Sequence, residues 1–345
     1  MDFARIVIRA TNWVGDAVMS LPALGAIRGR FPRAHIAVVA RPWVADLYER
    51  EPFTDEVIPY TALPGARDLA GKWKLARSLR EGRFDCAILL QNAFEAALIA
   101  WLAGIPRRFG YDRDGRGFLL TDAARVPAPD DIPRHQRFYY LELLRRVGII
   151  EGLPRTDAIR LDGAAEARRA GLRRLAGLGC AGACIGVSPG AAYGSAKRWF
   201  PERFADAAVQ IAGATGTAVA IFGSEAERPL CDEVLRLVAG RGIQAWNLAG
   251  RTSLRDFIEL AAACRAFLTN DSGAMHIASA LGVPTVAVFG ATDETATGPA
   301  GPLARVIREP VDCSPCLLRE CPIDHRCMDR VDAGRVARAV LDLLK

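Results

Sequence analysis

Lysine is almost missing from this chain. Only four of its 45 basic side chains are lysines, at 72, 74, 197 and 345, and the rest are arginine. Charge of one sign is not concentrated anywhere either. Residues 1–165 carry 24 basic and 20 acidic side chains and the remainder 21 and 19, so the net charge of +6 names no nucleic-acid partner. A local basic patch for an anionic acceptor or a lipid surface stays open. Long apolar runs are lacking too. The most apolar stretch, residues 96–105, is far short of the roughly 20 residues a membrane-crossing helix needs. No Walker sequence and no His-Glu-x-x-His occurs. The G-x-G-x-x-G pattern appears as "GLGCAG" (177–182), but it precedes a strand pattern instead of following one and opening a helix, so no dinucleotide site is expected there. The opening "MDFARIVIRA" enters a strand pattern at once, without a secretory signal. A cytoplasmic protein with reduced thiols is the expectation.

What is present is alternation. Half of the 345 residues are apolar, enough for more than one core. Short apolar runs at 5–8, 36–40, 56–58 and 85–90 alternate with helical patterns at 17–30, 69–80, 93–103 and 134–147. After an irregular, charge-rich stretch at 151–182 the pattern restarts. Strands are expected at 183–190, 218–222, 245–248 and 266–269, helices at 201–212, 229–238 and 254–263, and a last helix at 333–344. This is the signature of βαβ units and parallel sheets. The expected fold is α/β, two Rossmann-like domains with parallel sheets facing across a cleft. The expected domains are 1–170 and 171–345, with the last helix a candidate to pack back on the N-terminal domain.

Three strand-to-helix junctions gather polar residues. In "IRATNWVGDAVMSLPAL" (8–24), Asn12, Trp13 and Gly15 make a tight turn and Asp16 opens a helix. An acid there caps a helix in the ordinary case. A large aromatic at Trp13 beside a glycine that admits a ligand to the backbone favours a site. In "SPGAAYGSAKRWF" (188–200), Gly190 and Gly194 free backbone N–H groups ahead of Lys197 and Arg198, a combination suited to a diphosphate. The alternative is a pair of surface charges before a helix. In "FLTNDSGAMHIASALGVPTVAVFG" (267–290), the N–H groups of Ser272, Gly273 and Ala274 point out of a helix start, which is an anion site, and His276 lies one turn in. A lone histidine there is usually packed and structural; next to an anion hole it is a candidate ligand.

Other features carry less. Five cysteines sit in apolar surroundings, while Cys313, Cys316, Cys321 and Cys327 form C-x2-C-x4-C-x5-C with His325 inside. That set is either a candidate structural zinc site or a reduced cluster, because its spacing is not a standard paired knuckle. "DRD" (112–114) has no apolar strand directly before it and reads as a solvated loop. The arginine-rich stretches 105–117 and 134–140 are either acceptor contacts or ordinary solubilising charge.

The stretches "NWVGDAVMSLPAL", "PGAAYGSAKRWF", "FGSEAER" and "TNDSGAMHIASALGVPTVAVFG" closely resemble the ADP-heptose:lipopolysaccharide heptosyltransferase family of glycosyltransferases, from Arg5 to about Ile307. The wording "NWVGD" and "SAKRW" is most like the branch that adds the second heptose. The resemblance implies a GT-B fold, an N-terminal acceptor domain, a C-terminal ADP-heptose domain, and inversion at the anomeric carbon with no metal or other cofactor. It implies Asp16 as the base and Lys197 on the donor phosphates. It places Gly190, Ser195, Asp271, Ser272, Gly273 and His276 at the donor, Glu225 on the ribose hydroxyls, and Asn12, Trp13 and Gly15 beside the acceptor. Ala191 and Ala192 depart from relatives that carry hydroxyl side chains there, which puts Ser195 in doubt as their substitute. The implied partners are ADP-heptose and a lipid A–core acceptor, heptose-Kdo2-lipid A first and Kdo2-lipid A or a later core sugar as alternatives, with peripheral contact at the cytoplasmic face of the inner membrane. A nucleotide-sugar-binding protein without catalysis is the rival of another class.

Overall fold

Apolar runs of three to six residues become strands buried on both faces, and the amphipathic stretches between them become the helices that cover those faces. The structure is a computed structural model that describes residues 1–63, 65–155, 157–180 and 182–345, with backbone alone at 65 and 66; position 181 of "GLGCAG" is outside the described residues. The chain divides into two units, Met1–Thr156 and Asp157–Lys345.

In the first unit, strands β1 (Arg5–Arg9), β2 (His35–Ala40), β3 (Glu56–Pro59), β4 (Cys86–Leu89), β5 (Arg107–Tyr111) and β6 (Asp122–Ala124) form a sheet in the order β3-β2-β1-β4-β5-β6. Every pairing is parallel, with Ile6 opposite Ile36 and Cys86. Helices α1 (Val14–Arg30), α2 (Pro42–Ala45), α3 (Leu69–Glu81), α4 (Phe94–Leu102) and α5 (Arg137–Arg146) connect and cover them. Val7, Ala37, Val39, Ala87 and Leu89 on one sheet face pack against Leu75, Leu79 and Ile99 from α3 and α4.

The second unit repeats the plan. Strands β7 (Ile185–Ser188), β8 (Val219–Ile221), β9 (Ala245–Asn247), β10 (Ala266–Asn270), β11 (Thr285–Val288) and β12 (Ala304–Ile307) are ordered β12-β11-β10-β7-β8-β9, again all parallel. Helices α6 (Ala164–Gly177), α7 (Pro201–Thr215), α8 (Arg228–Ala239), α9 (Leu254–Ala263), α10 (Gly273–Ala280), α11 (Glu294–Thr297), α12 (Arg326–Asp329) and α13 (Ala333–Leu343) surround it. Local chemistry sets their limits. Pro201 starts α7, where its missing N–H costs no helical bond, and Gly216 ends it at φ 63°. Ser253 and Asp256 form a reciprocal capping box on α9.

Three expectations change. The stretch 151–182 is not irregular: it contains α6, which docks on α9 where Gly171 allows the Glu259 carbonyl an approach that any Cβ would block. Arg174 then pairs with Asp256 at 2.7 Å and Glu259 at 2.5 Å. The boundary therefore falls at 156/157 and not 170/171, because α6 belongs wholly to the second unit. Val336, Ala337 and Val340 of the last helix, α13, are buried in the second unit's own core beside Phe204 and Ile211 of α7. Strands β5, β6 and β12 also escape the sequence pattern, since arginines interrupt β5 and β12 and β6 has three residues.

Candidate active site

Both sheets place their first and fourth strands side by side at the centre. Connections leave those two strands toward opposite sides, which opens a crevice at their carboxyl ends, the place where ligands bind in such sheets. In the second unit these strands are β7 and β10, in register with Thr269 opposite Ser188. The loops that leave them carry the residues singled out from sequence.

After β10, Asp271 is 6% exposed and its Oδ2 accepts from Lys197 Nζ at 2.5 Å and from Thr292 Oγ1 at 2.7 Å. Three loops, those after β7, β10 and β11, thus meet on one carboxylate. Ser272 caps α10, accepting from Met275 N, and shares a hydrogen bond with Thr269 at 3.1 Å. Ser272, Gly273 and Ala274 are half-buried, so the helix start and its dipole remain open to an anion. Asn270, fully buried, cross-links the loops further: its amide donates to Pro189 O at 2.7 Å, and its oxygen accepts from Trp199 N at 3.0 Å. Gly190 lies against the Glu227 carboxylate, closer than a Cβ would permit. Glu227 is itself held by Ser224 N and Oγ at 2.8 Å each.

The other residues expected at the donor differ in placement. Ser195 is exposed at the start of the short turn Ser195–Lys197. Glu225 is exposed, paired with Arg228 at 3.0 Å; Arg228 holds its carboxyl below the usual range. His276 is 4% exposed on α10, one turn beyond the Ser272 cap.

In the first unit the crevice lies between β1 and β4. Asn12 and Trp13 turn the chain out of β1, and Gly15 and Asp16 fall in the first turn of α1. Asp16 Oδ1 accepts from the buried Tyr140 hydroxyl of α5 at 3.1 Å. Burial, with the Asp16 carboxylate next to it, pushes the Tyr140 phenol well up, so it is a donor to Asp16 across the ordinary pH range. Asn12 is fixed on two sides: Arg9 donates to its Oδ1 at 2.9 Å, and Trp43 Nε1 donates to its carbonyl at 2.9 Å. Trp13 is 67% exposed. Thr11 Oγ1 and Gln91 Oε1, just beyond β1 and β4, are buried with no hydrogen-bond partner, polar atoms suited to a ligand's hydroxyls. Underneath, Arg9 and Arg41 stack on Tyr60 at 4.9 and 4.2 Å, and Arg41 and Lys72 each lie 3.7 Å from Glu95. Burial, then Arg41, lowers the Arg9 guanidinium to about 10, still charged at neutral pH.

Sequence reasoning missed Arg9, Tyr140, Glu227, Asn270 and Thr292. Arg9, Glu227 and Asn270 stand inside the quoted motifs and Tyr140 inside the stretch 134–140; what the sequence lacks is any sign of the distant partners that the sheets bring to Tyr140 and Thr292. The zinc expectation is corrected. Cys313, Cys316, Cys321 and Cys327 are free thiols, and among the described residues no group of three or more His, Cys, Asp or Glu is placed to hold a metal ion. Cys327 enters the core beneath Gly290 while the other three stay half-exposed. The "DRD" segment is an exposed loop, but a strand, β5, does end directly before it at Tyr111. A depression of about 570 Å³ between Ala164, Arg168, Cys264 and Pro284 lies at the amino ends of the strands, opposite to this site.

Two Rossmann-like units, each with its polar residues gathered at the central crevice, are the architecture of the GT-B class. A sequence model of glycosyltransferase family 9 (heptosyltransferase) matches residues 72–326, and the chain belongs to that family. It is 35% identical over 309 residues to lipopolysaccharide heptosyltransferase 2 of Escherichia coli K12 and 36% identical to that of Salmonella typhimurium LT2, covering 88% of both chains in each case. The solved structure of E. coli ADP-heptose LPS heptosyltransferase II superposes with a TM-score of 0.82 at 31% identity, covering 99% of this chain and 98% of that one. E. coli heptosyltransferase WaaC with ADP, at 19% identity and a TM-score of 0.77, shares the fold.

Proposed function

We propose that this enzyme transfers heptose from ADP-heptose, with inversion, to the heptose already carried by Kdo2-lipid A in the lipopolysaccharide inner core. The observation that carries the reading is the convergence of Lys197, Asp271 and Thr292 beside the open start of α10. A diphosphate seated there meets one ammonium and a row of free N–H groups. Asp271 holds the ammonium ready, and the phosphates take over part of that pairing when they bind. As the glycosidic bond breaks, charge builds on the departing ADP, and groups already in place stabilise it without reorganising. Gly190 and Ser195 line the same loop, and Glu225 and Glu227 are the two carboxylates beside it for ribose hydroxyls.

Asp16 removes the proton of the attacking hydroxyl. The Tyr140 hydrogen bond keeps its carboxylate oriented, and general-base help of this kind is worth about 10²–10⁴ in rate. Asn12, Trp13 and Gly15 shape the acceptor's seat, with Thr11 and Gln91 as further polar contacts. The buried Arg9, Arg41 and Lys72 give this seat a positive field that suits a phosphorylated acceptor. Because base and donor site belong to different units, turnover demands a state that joins them. Lys197 and the α10 dipole carry the charge a divalent metal would otherwise carry, so chelator is expected to leave the rate unchanged. Peripheral membrane contact is part of the reading: Trp13, Trp43, Trp73 and Trp101 are each more than half exposed, and among the described residues no helix is long and apolar enough to cross a membrane.

The test is product formation from ADP-heptose with Kdo2-lipid A and, separately, with the same acceptor already bearing one heptose. Product from the second acceptor alone is the expected result. Product from the first would shift the enzyme to the first-heptose step, and donor binding with no product from either would make it a binder.

A further inference from the structure

The cysteine-bearing segment near the C-terminus has no part in the reaction described so far, yet it is tied to two of the three donor loops. Its root is in the second unit's core, where Cys327, Met328 and Val331 are buried. Its body lies over the loop that carries Lys197. Arg319 O accepts from Ala196 N at 2.9 Å and packs against Gly194 so closely that a Cβ would collide with it. Tyr193 donates its hydroxyl to Leu317 O at 2.8 Å, and the rings of Tyr193 and the charges of Lys197 and Arg319 stack at 4.8 and 5.4 Å. His325 Nε2 is 3.0 Å from Ala196 O, and since a carbonyl only accepts, Nε2 carries the proton. The same segment holds the loop after β11: Leu317 N donates to Ala291 O at 2.8 Å and Ser314 Oγ to Gly290 O at 2.6 Å, next to Thr292.

We propose that residues 311–328 are a strap that fixes the Lys197 loop against the Thr292 loop, making Tyr193 and His325 positioning residues for the donor's diphosphate. The inference rests on the reading of the second unit as the donor site. Lys197 and Thr292 come from different loops and meet on Asp271; the strap is a second connection between those loops. Three of its thiols, Cys313, Cys316 and Cys321, are half-exposed and report its position. Whatever the strap contributes to ADP binding, ADP must return to the strap as reduced opening, because coupling between two sites is reciprocal.

The experiment compares His325→Ala, His325→Gln and Tyr193→Phe in the full chain. His325 has φ 56°, a left-handed backbone that costs Ala and Gln alike, so the difference between those two variants isolates the side-chain donor. Expected are a donor KM and an ADP Kd raised about 3- to 10-fold in His325→Ala and Tyr193→Phe, partial recovery in His325→Gln, and an unchanged acceptor KM. Without any ligand, hydrogen exchange of the peptide holding the Ala196 amide should quicken about as much in His325→Ala. ADP should also slow alkylation of Cys313, Cys316 and Cys321 by N-ethylmaleimide in the wild-type chain. Unchanged exchange at Ala196, or unaltered donor KM in both His325→Ala and Tyr193→Phe, overturns the strap. Failure of the wild-type chain to bind ADP by calorimetry would instead overturn the donor reading, and the exchange measurement would still decide the strap.

Discussion

The two units share one strand order and do opposite things with charge. The first buries its cations: Arg9, Arg41, Lys72 and Arg116 are 5% exposed or less, and six aromatic side chains, Trp13, Trp43, Trp73, Phe94, Trp101 and Phe118, are left facing out. The second leaves Tyr193 as its one exposed aromatic among the described residues, and brings a single lysine to a single aspartate at its crevice. The scaffold therefore does not decide the chemistry. A repeated sheet supplies two crevices, and the residues at the strand ends give one an aspartate near buried cations and the other a lysine–aspartate pair beside an open helix start.

Four substitutions sharpen or break that division. The largest effect is expected for Asp16→Asn, which keeps an acceptor for Tyr140 but abolishes the base: turnover falls about 10²–10⁴-fold with ADP affinity unchanged by calorimetry. A parallel loss of ADP affinity would erase the division between the units. Lys197→Ala should lower kcat about 10²–10³-fold and also weaken ADP binding at least about tenfold. Because the pair with Asp271 is buried, it should lower the melting temperature as well. Thr292→Val removes one hydrogen bond to Asp271 and should raise donor KM about 3- to 10-fold, leaving the acceptor KM alone.

The smallest effect is confined to the first unit's stability. Hydrogen bonds from Arg145 and then Arg146 hold the Glu142 carboxyl below the usual range, and its side chain is 1% exposed. A depressed carboxylate stabilises the fold above its unfolded value, about 4.3, and that stability is lost as pH falls through the lowered folded value. Wild-type melting temperature should therefore drop more steeply than that of Glu142→Gln between about pH 5 and pH 3. Parallel curves would remove Glu142 as the cause.

The sheets were legible because buried parallel strands read as unbroken apolar runs, and β1, β2, β4, β7, β10 and β11 all do. Helix α6 was not legible: "AAEARRAGLRRLAG" has few large apolar residues and docks through alanines and Gly171. At the site, Asp16, Lys197 and Asp271 were visible as charges directly after apolar runs. Tyr140 was not, since 124 residues separate it from Asp16, and Thr292, 21 residues from Asp271, followed the last quoted motif by two positions.

The way α6 is locked onto α9 bears on how this protein can be cut. Ile159 N donates to Ala300 O at 3.0 Å and Leu161 N to Ala280 O at 2.9 Å, so the lead-in to α6 is stitched to the second unit before the helix begins. A fragment beginning at 171 would discard those stitches and half the helix, uncovering α9 and leaving Glu259 with no guanidinium held in place by the missing turns. A fragment beginning at 157 keeps them, and it is the truncated chain worth expressing when only nucleotide capture is to be measured.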